Sequence, residues 1–192
     1  MADTKKKLMY LSEDDIIQIF QYITQRNIED SKAIINQNER HLQILASIRV
    51  MGERKRIGLA AHNEKKSELI ECLKKHRKVL VQHKLYATGT TGTLVEKELN
   101  IPVRKFESGP LGGDQRLGAK IAKNELDILI FLIDPLSPHA HNADVEALVR
   151  LAQVYKIPCA TNATSVDFLL TSSMMSESSV RTIPVTGYPQ GK

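Results

Sequence analysis

Cysteine is scarce in this chain of 192 residues, and tryptophan is absent. The two cysteines, Cys72 and Cys159, lie in separate patterned segments, without the paired spacing of a disulfide framework or a structural zinc site. We therefore expect reduced thiols and a cytoplasmic protein, because disulfide-stabilised scaffolds belong to oxidising compartments.

Long apolar runs are also missing. No stretch approaches the roughly 20 apolar residues that a membrane-spanning helix needs. The first residues, MADTKKKLMYLSEDD, contain lysines but not the continuous apolar segment of a secretory signal. The sequence therefore predicts no membrane association.

Aromatic residues make up only 5% of the chain, and no motif of a nucleic-acid-binding domain is present. The net charge is +5, but lysine and arginine are spread along the sequence and do not form one cluster. A positive balance of this kind also favours the capture of a small anionic substrate. We expect no nucleic-acid partner.

Residues 1–53 have a helical pattern. The segment LSEDDIIQIFQYITQ places Ser12 three residues before Asp15, which resembles a capping box, and an amphipathic helix follows. A second helix is predicted from about Asn27 or Asp30 to Ile48, and the charged segment GERKR follows it. The pattern predicts an N-terminal helical hairpin, which packs either on the main domain or on another subunit.

Residues 54–192 alternate short apolar runs with amphipathic stretches. Five runs are predicted to be strands: RIGLAAH, HKLYAT, PVRKF, DILIFLID and IPCATNA. Strands separated by helices predict an α/β domain with three α/β/α layers and a mostly parallel five-stranded sheet. In such a sheet the C-terminal ends of the strands share one edge, where ligands bind.

Polar residues follow the predicted strands at that edge. The segment TGTTG, from Thr88 to Gly92, begins a helix, and backbone amides at a helix start bind phosphate oxygens. Lys66 and the pair Ser108-Gly109 would complete such a site. The simpler interpretation is a capped turn, because threonine is an acceptable N-cap residue.

Asp114 follows two glycines at the start of another predicted helix, so it could be a first-turn capping residue. The glycine-rich approach favours a functional role, because glycine lets the backbone come close to a ligand. His139 and His141 have an H-x-H spacing that zinc sites use, with Asp134 or Asp144 as a further ligand. The alternative is a histidine that donates a proton.

These loops resemble the methylglyoxal synthase family over about residues 55–185. The segments that carry the resemblance are IGLAAHNEKK, LYATGTTGTL, SGPLGGDQRLGA, DILIFLIDPL and PHAHNADVEALVRLA. The resemblance implies a lyase that converts dihydroxyacetone phosphate to methylglyoxal and inorganic phosphate, without metal or organic cofactor. It also implies a homohexamer that inorganic phosphate can inhibit.

The resemblance further implies roles for individual residues. Asp114 stands at the position of the catalytic base, His62 and His141 at those of the active-site histidines, and Asp144 at that of a second active-site aspartate. The positions that bind the phosphate group are Lys66, Thr88, Gly89, Thr90, Thr91, Ser108 and Gly109. The chain departs from the family at Asn63 and Asn142, where acidic residues are common, and an amide cannot take a proton there.

Two other functional classes are compatible with this pattern. A non-catalytic regulatory module of the same fold would bind phosphate or a nucleotide, as in the regulatory domain of carbamoyl phosphate synthetase. Such a module would not need to keep Asp114, His62 and His141 together, and this chain keeps all three. A structural or interaction protein built around the N-terminal hairpin is the third interpretation.

Overall fold

Short segments form the strands of the protein, and the most apolar of them are central to its sheet. The computed structural model describes residues 37–38, 47–137 and 141–183. In these ranges the strands are β1 (Ile48–Met51), β2 (Arg56–Ala61), β3 (Lys84–Ala87), β4 (Val103–Lys105), β5 (Ile128–Leu132), β6 (Cys159–Ala160) and β7 (Ser179–Thr182).

The central sheet has five strands in the order β4-β3-β2-β5-β6. Every neighbouring pair is parallel, with Ile57 opposite both Leu85 and Ile128 in the middle of the sheet. The chain therefore needs a crossover between successive strands, and helices supply it. Strands β1 and β7 form a separate antiparallel pair.

The helices are α1 (Lys66–Lys75), α2 (Arg77–Leu80), α3 (Gly89–Leu99), α4 (Gly113–Ala122), α5 (Asn142–Val154) and α6 (Ala163–Thr171). Residues of α1, α3 and α6 pack on one face of the sheet, and residues of α4 and α5 pack on the other. The three layers result from these two cores.

Strand β5 shows why both faces must be covered. All five of its residues are buried. Ile128 and Ile130 belong to the core with α1, α3 and α6, whereas Leu129 and Phe131 belong to the core with α4 and α5. Alternate side chains of a strand point to opposite faces, so a continuous apolar run requires helices on both sides.

The predicted α/β fold, its parallel sheet and its three layers are confirmed. Helix α6 and the pair β1–β7 were not predicted. Ile48 was predicted at the end of a helix, but it is the first residue of β1 and pairs with Thr182. That prediction was wrong because the strand requires a partner from the far end of the chain.

Contacts within the chain divide it into two units. One is Ser47–Gly187, and the other is Met1–Ala46 together with Tyr188–Lys192. Most of the predicted hairpin lies outside the described residues; the structure describes Gln37 and Asn38, which are helical, and residues 47–53, which include β1. The proposed division between residues 53 and 54 stays a prediction. In the part of the chain that the structure describes, none of the helices has the length and apolar character to cross a membrane.

Candidate active site

A cavity of about 300 Å³ lies at the C-terminal ends of the parallel strands. The loops after β2, β3 and β4 and the start of α5 all contribute to it. Its lining residues are Ala60, Ala61, His62, Asn63, Glu64, Lys66, Thr88, Thr90, Ser108, Gly109, Pro110, Asp114, Phe131 and His141. Eight of the eleven predicted site residues therefore line a single cavity.

The TGTTG segment forms the start of helix α3. Thr88 is the N-cap residue, and the first bond of the helix runs from the Gly92 N–H to the Thr88 carbonyl at 2.7 Å. The Gly89 N–H donates to the Glu107 carbonyl. The amides of Thr90 and Thr91 lie in the first turn, where a helix offers no internal acceptor. The positive end of the helix dipole favours an anion at this position.

Lys66 reaches the same helix start from α1. Its Nζ donates to Thr90 Oγ1 at 2.8 Å and to Asn63 Oδ1 at 2.6 Å. Partial burial lowers the pKa of Lys66, and Glu64 opposes that shift. A lysine that loses solvation in this way gains from an anionic ligand. Its contact with Thr90 therefore places a positive charge beside the first turn of α3.

A tight turn positions Asp114 beside Ser108 and Gly109. The Gly113 N–H donates to the Ser108 carbonyl at 3.0 Å, and a Cβ at Gly113 would lie 2.1 Å from the Glu107 carbonyl oxygen. A Cβ at Gly109 would lie 2.8 Å from Asp114 Oδ2. Only glycine permits these approaches. Ser108 and Gly109, which lie at the proposed phosphate site, and the buried carboxylate of Asp114 thus belong to one turn.

Asp114 is only 2% exposed. Among the described residues, its Oδ2 has no hydrogen-bond donor, and the Nε2 atom of His141 lies 3.8 Å away. Burial raises the pKa of Asp114; the nearby His141 lowers it, and the charge of Asp144 raises it further. A carboxylate with poor solvation and an open acceptor atom is suited to accept a proton from a substrate.

Two histidines lie beside this carboxylate. His62 is buried, and its Nδ1 accepts a hydrogen bond from the Asp134 backbone N–H at 2.9 Å. A neutral His62 ring therefore carries its proton on Nε2. The rings of His62 and His141 are 5.8 Å apart between centroids, edge to face. Phe131 packs edge-on against His62 at 5.4 Å and limits its rotation.

Three predicted site residues do not line the cavity. Thr91 is buried, and within the described chain its Oγ1 has no hydrogen-bond partner. Gly89 lies behind the loop, where its backbone contacts the 107–108 segment. Asp144 lines a neighbouring groove of about 230 Å³, which Asp114 also lines. Asp144 therefore influences the cavity through its charge, which acts on Asp114.

The sequence reasoning missed five cavity residues: Ala60, Ala61, Glu64, Pro110 and Phe131. Phe131 could have been found, because it lies in a predicted strand that ends at the ligand edge and is the penultimate residue of β5. Asn142, the second departure from the family pattern, donates to Glu146 at 2.7 Å and does not line the cavity. It lines a wider groove of about 620 Å³ along α5.

His139 of the H-x-H pair lies outside the described residues, so the alternative of a metal at that pair stays a prediction. Elsewhere in the described chain, Cys72, His76 and Asp167 bring their ligand atoms together. A single oxygen, Asp167 Oδ1, contacts His76 Nε2 at 2.6 Å and Cys72 Sγ at 3.4 Å. This arrangement is a hydrogen-bonded link between α1 and α6.

Known proteins resemble this chain over the domain that carries the cavity. The MGS-like domain family matches residues 68–161. Methylglyoxal synthase from Coxiella burnetii is 56% identical over 120 residues, which cover 62% of this chain and 84% of that protein. Methylglyoxal synthase from Saccharophagus degradans is 50% identical over 131 residues, which cover 68% and 85%.

A solved structure agrees with these sequence relatives. The crystal structure of methylglyoxal synthase from Elizabethkingia anophelis is 42% identical and superposes with a TM-score of 0.69. The match covers 76% of this chain and 99% of that structure. The likeness therefore includes nearly the whole of the solved protein.

Proposed function

The chain belongs to the methylglyoxal synthase family, and we propose that its reaction is carried out in the 300 Å³ cavity with Asp114 as the base. The enzyme is a lyase that converts dihydroxyacetone phosphate to methylglyoxal and inorganic phosphate. The reaction has two parts, removal of a carbon-bound proton and loss of phosphate. Each part needs a different group in the cavity.

The first part forms an enediolate. Asp114 takes a proton from the carbon that carries the free hydroxyl group, and the electron pair moves to the ketone oxygen. A carbon acid next to a ketone is weak, so the developing oxyanion needs hydrogen-bond donors already in place. The Nε2 atom of His141 lies 3.8 Å from Asp114 Oδ2. From this position His141 donates a hydrogen bond to the former ketone oxygen of the substrate. His62, through Nε2, donates to a neighbouring oxygen of the substrate.

The second part breaks the carbon–oxygen bond to phosphate. The proton of the hydroxyl group on the deprotonated carbon passes to the former ketone oxygen, so that this carbon becomes the aldehyde. The π electrons of the enediolate form a new double bond to the carbon that carries the phosphate, and the carbon–oxygen bonding pair leaves with the phosphate. The resulting enol becomes methylglyoxal when its terminal carbon takes up a proton and its hydroxyl loses one. This elimination requires the bond to phosphate to stand across the enediolate plane. Lys66, Thr88, Thr90, Ser108 and Gly109, together with the first-turn amides of α3, hold the phosphate in that orientation and stabilise its charge.

One observation supports this assignment above the others. A buried carboxylate with an open acceptor oxygen lies in the same small cavity as a helix start and a lysine suited to phosphate. A regulatory module would need the phosphate site alone. A volume of about 300 Å³ is also at the lower end of small-molecule sites, which suits a triose phosphate better than a nucleotide.

The finer features of the family are part of the proposal. We assign the protein to the cytoplasm, as a homohexamer whose product, inorganic phosphate, inhibits it. Asp144 acts on the reaction through the pKa of Asp114, because its charge favours the protonated form of that neighbour. No metal or organic cofactor takes part in this assignment.

The test is incubation of the purified full chain with dihydroxyacetone phosphate while phosphate release and methylglyoxal formation are followed separately. Equal amounts of both products are expected. Phosphate release without methylglyoxal would indicate a phosphatase. Unchanged substrate at high protein concentration would refute the lyase assignment for this chain.

A further inference from the structure

Asn63 stands next to the proposed phosphate site without an assigned role. It follows His62 directly, lines the cavity, and accepts a hydrogen bond from Lys66 Nζ at 2.6 Å. The same ammonium donates to Thr90 Oγ1 at 2.8 Å. Two neutral acceptors therefore hold the lysine beside the first turn of α3.

The uncharged state of both acceptors has an electrostatic consequence. A carboxylate in the place of Asn63 would also hold the ammonium, but it would cancel most of its charge and repel an incoming anion. An amide oxygen holds the ammonium by a hydrogen bond and leaves the full positive charge for a ligand. The acidic group nearest in sequence, Glu64, lines the cavity too and is exposed.

We propose that Asn63 is the positioning residue of Lys66, and that its lack of charge makes this chain bind phosphate more tightly than an aspartate at the same position would allow. The inference rests on the proposed function and adds a determinant of phosphate affinity to it. Its consequence is stronger inhibition by the product phosphate. Asn63 acts through Lys66 and takes no proton in the reaction.

The test compares Asn63→Asp and Asn63→Ala with the wild-type chain, using inorganic phosphate as the probe in calorimetry. Alanine removes the acceptor but leaves the Thr90 contact, so phosphate binding should weaken by about threefold, a typical result for losing one exposed bond to a charged group. Aspartate keeps the acceptor but adds a negative charge beside the ammonium that attracts the anion, so binding should weaken by about tenfold.

A matched control separates local charge from net charge. Asn100 is an exposed residue at the far end of α3 from the cavity, so Asn100→Asp changes the net charge equally. It should leave phosphate affinity within about twofold of the wild type, because its distance exceeds the screening length. The difference between wild type and Asn63→Asp should shrink as salt is added, which a purely structural defect would not produce.

Kinetics give an independent measurement. In Asn63→Asp the KM for dihydroxyacetone phosphate should rise more than kcat falls, and phosphate should inhibit less. Phosphate affinity in Asn63→Asp equal to the wild type, or weaker binding by Asn63→Ala than by Asn63→Asp, would overturn the inference. If phosphate affinity follows the predicted order among the wild type and the two variants but the wild type forms no methylglyoxal, the proposed function fails and this inference stands.

Discussion

Replacement of Asp114 by asparagine separates catalysis from stability in this site. The two side chains have nearly the same shape, so the turn that contains Gly113 should be kept. Asparagine cannot take the substrate proton, and removal of a positioned base typically lowers the rate by about 10²–10⁴-fold. That loss corresponds to about 2.7–5.5 kcal/mol of transition-state stabilisation, at about 1.4 kcal/mol for each factor of ten.

Although Asp114→Asn should lose activity, its stability should be kept or raised, depending on the pH. Burial raises the pKa of Asp114, so the folded protein keeps this proton at pH values where the unfolded chain has lost it. The wild type therefore loses stability as the pH rises from the ordinary value of about 3.9 to the raised pKa of the folded state. Above that window Asp114→Asn should be at least as stable as the wild type, and below it the advantage should disappear.

The assays are methylglyoxal formation, exchange of the substrate's carbon-bound hydrogen with solvent, and urea unfolding at several pH values. We expect kcat to collapse with a modest change in KM, because phosphate affinity depends on Lys66 and the start of α3. Hydrogen exchange should be lost in parallel. Near-normal turnover in a folded Asp114→Asn protein would refute the assignment and move the base to Asp144 or Asp134.

Three further predictions concern other parts of the protein. Activity should survive exhaustive treatment with EDTA, because the electrophilic groups are histidines; loss of turnover that zinc restores would contradict this. Gly113→Ala should lower the free energy of unfolding by about 1–3 kcal/mol, since its Cβ would meet the Glu107 carbonyl oxygen at 2.1 Å. Gly52→Ala is the control, because nothing lies within 4 Å of its Cβ, and equal effects of both changes in urea unfolding would refute the argument. The Cys72 thiol, whose pKa burial and Asp167 raise to about 11, should resist alkylation until the protein is denatured, and mass spectrometry of the native protein would show rapid labelling if this is wrong.

The sheet could be predicted from the sequence because its central strands β2 and β5 are apolar on both faces and the strands are separated by helical patterns. The pair β1–β7 could not, since neither four-residue strand has a local partner and each is recognised only through the other. Helix α6 has a composition rich in threonine and serine, and its clearest signal is the N-cap Asn162, whose Oδ1 accepts from the Ser165 N–H.

The sequence predicts which residues form the site better than it predicts how those residues are arranged. Chain order places polar residues after each strand, so most cavity residues could be identified before any coordinates. The burial of Asp114 depends on how the loops fold, and no spacing rule indicates it. Asn63 and Lys66 have the three-residue spacing of neighbours on a helical turn, but the sequence does not indicate that Thr90 accepts from the same ammonium. Thr91 illustrates the limit: it shares the TGTTG segment with Thr90, yet its side chain is buried and Thr90 is exposed.

Backbone contacts join the phosphate site and the base into one unit. The Gly89 N–H at the start of α3 bonds the Glu107 carbonyl, and the Gly113 N–H bonds the Ser108 carbonyl one residue later. The loop after β4 is thus fixed on one side to the phosphate-binding helix and on the other to the helix that carries Asp114. A phosphate held at α3 therefore sets where the substrate's reacting carbon lies relative to the carboxylate. Binding energy from the phosphate is then used in deprotonation, so a substrate analogue without phosphate should lose kcat as well as affinity.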